Sequence, residues 1–193
     1  MQKLFLSSLV IILCSANTRI HSFKKTFFPQ WDTTGWINSF REFRNAIYKN
    51  DRAKVKQFID FPIMNDNNEI WYLAYNHDDK LISKLPTKIK PFTEKDFDKY
   101  YSKVFTKRFI NTILKIKSNQ LYITGAAESI RFKDRSGTYK MYVTFDKEDK
   151  ILTLNLASET AIKTEDGGEF NVIYQFDVVN NHELKFRRVR LAG

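Results

Sequence analysis

The sequence predicts an α+β protein in which helices come first and an antiparallel sheet follows. Apolar residues recur at helical spacing in the first half of the chain, and from residue 120 onward they recur at every second position. Short clusters of Asp, Asn, Gly and Lys separate the alternating segments, as turn residues do. Helices and sheets bury their apolar faces against each other, so we expect a two-layer domain.

The composition fits one folded domain. The chain has 193 residues, of which 42% are hydrophobic and 15% aromatic, enough for one well-filled core. We expect this domain to span residues 36–193, with residues 17–35 as a lead-in. Lys and Arg number 32 against 22 acidic residues, a formal net charge of +10, which attracts acidic partners or surfaces over long distances.

Residues 1–16 have the pattern of a secretory signal peptide. Lys3 precedes an apolar run that is too short to cross a bilayer as a stable helix. Small residues then lead up to Ala16, so we expect cleavage after Ala16 and a periplasmic or secreted protein. A lipoprotein anchored at Cys14 is the alternative, although Leu13 stands where that signal needs a small residue. Cleavage removes the only cysteine, which excludes disulfides and thiol catalysis.

The lead-in over residues 17–35 shows no periodicity. Its aromatic residues are Phe23, Phe27, Phe28 and Trp31. We expect them to pack on the first helix, and the alternative is an anchor beside a membrane.

Two amphipathic helices are predicted over residues 36–63. The apolar residues of the first recur at helical spacing and are Trp36, Phe40, Phe43 and Ile47. Asp51 can accept a hydrogen bond from the free N–H groups of a second helix. The second helix should end by Phe61, because Pro62 has no N–H and disfavours helical geometry in the preceding residue.

The same stretch resembles the opening of small secreted bacterial domains with an NTF2-like fold, the cystatin-like superfamily that includes ketosteroid-isomerase-type enzymes. The matching residues are Phe40, Phe43, Arg44, Ala46, Ile47, Asn50, Asp51, Val55, Phe61 and Pro62. The resemblance implies a curved sheet that wraps a helix and leaves a conical pocket. Some members are isomerases or dehydratases with an inward Asp or His, and others only bind ligands or partner proteins.

Residues 70–75 form an apolar run that predicts a strand. Residues 81–92 contain Pro86 and Pro91 and are predicted to be an extended loop or an edge strand.

His77 stands beside Asp78 and Asp79, a combination that raises the hypothesis of a metal or acid–base site. Adjacent turn residues point in different directions, so a solvated turn is the favoured interpretation and no metal or cofactor is expected.

A further helical segment is predicted over residues 94–116. Thr93 and Asp96 nearly match a capping box, with Asp in place of the usual Glu. One helix or two remain open as alternatives. A row of lysines at four-residue spacing consists of Lys99, Lys103 and Lys107. We interpret this row as a solvated face, with an anion site as the alternative.

Alternating segments predict the sheet. The strand candidates are residues 121–123, 130–132, 139–145, 151–157, 170–179 and 184–191, and the last two can pair across Asn180 and Asn181. The residues we expect to be largely buried are Phe40, Phe43, Ile47, Phe58, Phe97, Phe105, Val143, Leu154, Tyr174 and Phe176.

Two candidate sites follow from these elements. The expected ligand pocket consists of Tyr101, Phe105, Asn155, Tyr174 and Phe176. The expected basic face combines an early strand with the last one and consists of Arg131, Lys133, Arg187, Arg188 and Arg190. No catalytic residue is assigned, because no acid, histidine or serine constellation is visible in the sequence.

Three functions stay open at this point. The first is an exported, non-catalytic domain that binds a small ligand or an envelope component, with contact to an anionic membrane surface or homodimer formation compatible with it. The second is a small isomerase or dehydratase with one inward acid or base. The third is a structural or assembly protein. Nucleic acid is not expected as a partner, because an exported protein would be separated from the nucleic acids of the cell.

Overall fold

The computed structural model describes residues 35–158 and 170–192, so the predicted signal peptide and nearly all of the lead-in lie outside the described residues. The described helices are α1 (Trp36–Lys49), α2 (Arg52–Lys56), α3 (Glu69–Ala74), α4 (Asp79–Ile82), α5 (Glu94–Val104), α6 (Lys107–Ile113) and α7 (Ser118–Thr124), with a 3₁₀ turn over Asp66–Asn68.

The sheet is open and antiparallel. Its strands are β1 (Ala126–Glu128), β2 (Phe132–Asp134), β3 (Gly137–Asp146), β4 (Ile151–Ser158), β5 (Asn171–Val179) and β6 (Glu183–Ala192). The order across the sheet is β1, β3, β4, β5, β6, and β2 pairs with β3 on the same side as β1. The predicted α+β class, with helices first and an antiparallel sheet afterwards, is therefore confirmed.

The core lies between the helices and one face of this sheet. Along β4 and β5 every second residue is buried, while the residues between them are only partly covered. Helices α1, α3 and α6 contact the buried face. Aromatic rings fill its centre, where Phe43 packs edge-on against Phe176 at 4.9 Å between ring centroids and against Phe105 at 5.8 Å.

All of the residues expected to be buried are buried. Each has less than a tenth of its surface exposed, and they are Phe40, Phe43, Ile47, Phe58, Phe97, Phe105, Val143, Leu154, Tyr174 and Phe176. Periodicity read from the sequence therefore identified the inward faces of α1, α5 and the long strands correctly.

The predicted helix starts are confirmed. The Asp51 carboxylate accepts a hydrogen bond from the Lys54 N–H at 3.0 Å and caps α2. At α5, the Thr93 N–H donates to the Asp96 carboxylate at 3.0 Å, and the Thr93 hydroxyl accepts from the Asp96 N–H at 3.3 Å. Asp thus completes a capping box in the place of Glu.

The helical segment after Thr93 consists of two helices. The Thr106 hydroxyl accepts a hydrogen bond from the Phe109 N–H at 3.3 Å and caps α6, which is separated from α5 by two residues. Helix α2 ends at Lys56, earlier than the limit set by Pro62, and Ile59 beyond it forms a parallel bridge with Phe186.

The strand predicted over residues 70–75 is wrong, because residues 70–74 lie in α3 and Tyr75 is the residue that follows its last turn. Ile70, Trp71, Leu73 and Ala74 are buried at helical spacing. The indole N–H of Trp71 donates to the Lys90 carbonyl at 2.9 Å, which fixes the helix against the following loop. A six-residue apolar run is compatible with a buried helix and with a strand, and its packing in the folded protein determines which of the two forms.

The first two predicted strands also need correction. Residues 121–123 belong to α7, in which only Ser118 and Leu121 are buried, and Gly125 ends the helix at a φ of 76°. In the next candidate only Phe132 belongs to a strand, β2. Residues 81–92 begin inside α4 and then form a loop, apart from one antiparallel bridge between Ile63 and Phe92.

Candidate functional site

A cavity of about 120 Å³ lies between the helices and the sheet, where α3 ends and α5 gives way to α6. Its lining consists of Leu73, Asn76, His77, Lys103, Thr106, Arg108, Tyr139, Leu156, Phe170, Val172 and Tyr174. The antiparallel register explains the contribution of the sheet, because Leu156 of β4 lies opposite Val172 of β5 on the buried face.

The floor of the cavity is aromatic. Tyr174 packs on Phe109 at 4.5 Å between ring centroids, and its hydroxyl donates to the Val104 carbonyl at 2.7 Å. That bond satisfies one of the free carbonyls at the end of α5. Complete burial raises the pKa of the Tyr174 hydroxyl strongly, so this group stays protonated and serves as a structural donor.

The mouth of the cavity carries cations. Arg108 lies over the ring of Tyr139 at 4.3 Å, and its Nε donates to the Asp134 carboxylate at 2.7 Å. The hydrogen bond from Arg108 lowers the pKa of Asp134, so this carboxylate stays ionised. Lys103 lines the same opening, and no Asp or Glu in the described part of the chain forms an ion pair with it.

His77 lies at the rim, at the end of a turn with a positive φ of 56°. Its ring stands edge-on to Phe170 at 5.1 Å between centroids. Neither Asp78 nor Asp79 lines the cavity. The carboxylate of Asp78 caps α4 by accepting a hydrogen bond from the Lys80 N–H at 3.0 Å. Within residues 35–158 and 170–192, no group of three His, Cys, Asp or Glu side chains is arranged to hold a metal ion.

The structure redistributes the residues expected to form the pocket. Tyr174 alone lines the cavity, whereas Tyr101, Phe105 and Phe176 belong to the solid aromatic core. Asn155 lies on the opposite face of the sheet, because it alternates with the buried leucines of β4. Its carbonyl oxygen is buried there without a hydrogen-bond partner among the described residues.

The expected basic face is divided between two edges of the sheet. Arg131 and Lys133 lie beside or within β2, next to β3, whereas Arg187, Arg188 and Arg190 lie on β6 at the far edge. Acidic neighbours also compensate part of the β6 charge. Arg187 pairs with Asp177 at 3.2 Å, and Arg188 pairs with Asp66 at 3.0 Å.

Eight of the lining residues were not assigned to a site from the sequence, namely Leu73, Asn76, Thr106, Arg108, Phe170, Tyr139, Leu156 and Val172. A signal existed for the last three, since each occupies an inward position of its strand. The strand register that brings these positions together depends on several segments and cannot be predicted from the sequence of any one of them. Lys103 was visible as part of the lysine row, and in the structure it lines the cavity.

In the described part of the chain, no helix combines the length and apolar character needed to cross a membrane. Comparisons with models of protein families, with curated proteins and with solved structures give no match for this chain.

Proposed function

We propose that this domain is an NTF2-like, non-catalytic binding module that holds a small anion with an apolar body. The observation that carries the proposal is the cavity itself, which has an apolar floor at Tyr174 and cations at its mouth. No carboxylate lines it among the described residues. Such a cavity favours a ligand that is apolar at one end and negatively charged at the other.

The size of the cavity limits the ligand. A dry apolar cavity of about 150 Å³ holds one benzene molecule in an engineered protein. A volume of about 120 Å³ therefore suits a single small ring or a short branched chain, with its charged group outside at the mouth. A hydrogen bond from Lys103 or a free N–H of Arg108 to a carboxylate is charge-assisted, which makes it stronger than a neutral one.

Binding is favoured over catalysis because of what faces the cavity. A general base needs a partner that orients it and a pKa matched to its task. His77 contacts an aromatic ring, and the Tyr174 hydroxyl is committed to a backbone carbonyl with a pKa raised by burial. The described lining thus offers binding groups and no oriented acid–base pair.

Calorimetric titration with benzoate and with benzamide tests the proposal. The two probes share a ring and differ in charge, so we expect benzoate to bind and benzamide to bind at least about tenfold more weakly. Lys103→Gln should weaken benzoate binding by about tenfold. Lys95→Gln removes the same charge from an exposed position of α5 outside the cavity and should leave binding unchanged.

A second variant separates the cavity from the surface charge. Leu156→Phe enlarges a buried lining residue, so it should abolish benzoate binding while the circular dichroism spectrum stays that of the folded protein. Equal affinity for benzoate and benzamide, or undiminished binding by both Lys103→Gln and Leu156→Phe, would refute the proposal.

We also propose that the domain acts after export. Support comes from the apolar run and small-residue end of residues 1–16. Intact-mass measurement of the protein from its host checks this, with a mature chain that begins at Asn17 expected. A chain that retains residues 1–16 would contradict export by cleavage, and a lipid-modified Cys14 would establish the lipoprotein alternative.

A further inference from the structure

Two shallow grooves adjoin each other on the side of the domain formed by α1, α7 and β1. Their volumes are about 520 and about 440 Å³, and Lys117 and Gln120 line both. Together they form one continuous surface, here called the basic groove. Its cations are Arg41, Arg44, Lys115, Lys117, Arg131 and Lys140.

Four cations of the basic groove form no ion pair with a carboxylate of the described residues, namely Arg41, Arg44, Lys115 and Lys117. Glu128 is its one carboxylate among the described lining residues, and it pairs with Lys140 at 2.8 Å. The two arginines of α1 donate to neutral oxygens instead. Arg41 donates to the Asn119 amide oxygen at 2.7 Å, and Arg44 donates to the Ile116 carbonyl at 2.9 Å. These bonds orient the guanidinium groups and leave their positive charge in place.

The two arginines also repel each other. The pKa of Arg44 is lowered, first by its partial burial and then by the charge of Arg41. Bringing an anion between or beside two such groups relieves this repulsion, which favours a ligand with several negative charges.

Exposed aliphatic side chains accompany the cations. Ile130 lines the groove and is 68% exposed. Ile123 is 63% exposed and lies three positions after the groove residue Gln120 in α7, so the two side chains are neighbours on one face of that helix. Cations beside exposed aliphatic groups suit a lipid surface, because phosphates neutralise the cations while the aliphatic groups enter the boundary of the acyl chains.

We propose that the basic groove docks the domain on an anionic membrane surface. Lipid phosphates contact Arg41, Arg44 and Lys117, and Ile123 and Ile130 enter the interface. An acidic polysaccharide could use the cations but would gain nothing from the two isoleucines. The site is separate from the small cavity and differs from the basic face expected from the sequence, with which it shares only Arg131.

Cosedimentation with vesicles tests the proposal. Vesicles that contain about one third phosphatidylglycerol are compared with vesicles of phosphatidylcholine alone. We expect binding to the anionic vesicles only, with a partition coefficient that falls steeply as salt is added. Every variant carries the same N-terminal segment, so differences between variants report on the described domain.

Lys115→Gln combined with Lys117→Gln should lower the partition coefficient about thirtyfold, because each lysine near an anionic surface contributes about 1 kcal/mol. The matched control is Lys84→Gln combined with Lys88→Gln, which removes the same charge from exposed positions outside the groove. The control should change the partition coefficient by no more than about threefold, since charges beyond about 8 Å are screened at physiological salt.

Ile123→Ser combined with Ile130→Ser distinguishes a membrane from an acidic polymer. Both side chains are exposed, so the fold should be retained while vesicle binding falls at least about fivefold and retention on a heparin column stays unchanged. Three results would overturn the proposal: no binding to anionic vesicles at low salt, equal binding by the two lysine variants, or vesicle binding that is indifferent to the isoleucines.

Discussion

Phe43 lies where the first helix meets the sheet, and its ring touches three other aromatic rings. Phe58, Phe105 and Phe176 surround it with centroid distances of 5.4, 5.8 and 4.9 Å, and none of its surface is exposed. Phe43→Ala should therefore lower the free energy of unfolding by about 3 to 5 kcal/mol, because it removes the buried ring and leaves a cavity in its place. Urea denaturation monitored by circular dichroism measures this loss.

The control for this substitution lies in the same helix. Tyr48 is 65% exposed, so Tyr48→Ala should change the free energy of unfolding by no more than about 0.5 kcal/mol. Equal effects at the two positions would show that Phe43 is not in the core.

Two buried tyrosines differ in what their hydroxyls contact. The Tyr174 hydroxyl donates to the Val104 carbonyl at 2.7 Å, whereas the Tyr101 hydroxyl is buried without a partner among the described residues. Tyr174→Phe should cost about 1 to 3 kcal/mol, because it leaves the Val104 carbonyl unsatisfied. Tyr101→Phe removes an unsatisfied group and should be neutral or slightly stabilising. Thermal and urea denaturation of both variants measure these changes in stability. A larger loss for Tyr101→Phe than for Tyr174→Phe would contradict the hydrogen bond of Tyr174.

At the scale of elements, the turn between β5 and β6 also supports α1. Asn180 and Asn181 have φ values of 51° and 58°, and the His182 N–H donates to the Val179 carbonyl at 3.0 Å across them. The Asn181 carbonyl then accepts a hydrogen bond from the Trp36 N–H at 2.8 Å. One turn thus closes the hairpin and satisfies a free N–H at the start of the first helix.

Asn181→Val should destabilise the domain by about 1 to 2 kcal/mol, because a β-branched residue does not tolerate a positive φ. Asn181→Gly keeps the required conformation and should cost little. Urea denaturation compares the two, and a valine variant as stable as the glycine variant would show that the turn does not need its left-handed backbone.

At the scale of the whole molecule, buried tyrosines make stability depend on alkaline pH. The pKa of Tyr101 is raised to about 12, because burial penalises the phenolate and the nearby Arg52 only partly offsets this. The tyrosines of the unfolded chain ionise near about pH 10. Between these values the unfolded chain has lost a proton that the folded chain keeps, so stability falls as pH rises.

Tyr101→Phe should flatten this fall, since phenylalanine has no proton to lose. Urea midpoints measured from about pH 8 to about pH 11 check the slope, with the parent and the variant expected to diverge only above about pH 10. A pH dependence identical in both proteins would mean that Tyr101 ionises as readily in the folded state as in the unfolded one.

Much of the candidate site was beyond local sequence patterns. Tyr174 lines the cavity, yet Phe176, two positions away on the same face, fills the core. Helix packing, which the sequence does not display, decides which part of the inward face is covered. Asn155 shows a different error, because alternation along β4 already assigned it to the face opposite the leucines.

The sequence by itself determined the inward faces of α1 and α5, the caps of α2 and α5, the long strands and the hairpin at Asn180, because each depends on residues only a few positions apart. Tertiary structure decided that residues 70–74 form a helix, since a short apolar run suits either conformation until it is packed. It also decided that β2 and β6, which carry or adjoin the residues of the expected basic face, lie on opposite sides of the sheet. Arg41 and Arg44 of α1 meet Lys117 beside α7 for the same reason. Strand order and helix docking depend on contacts between distant segments, and no local period encodes them.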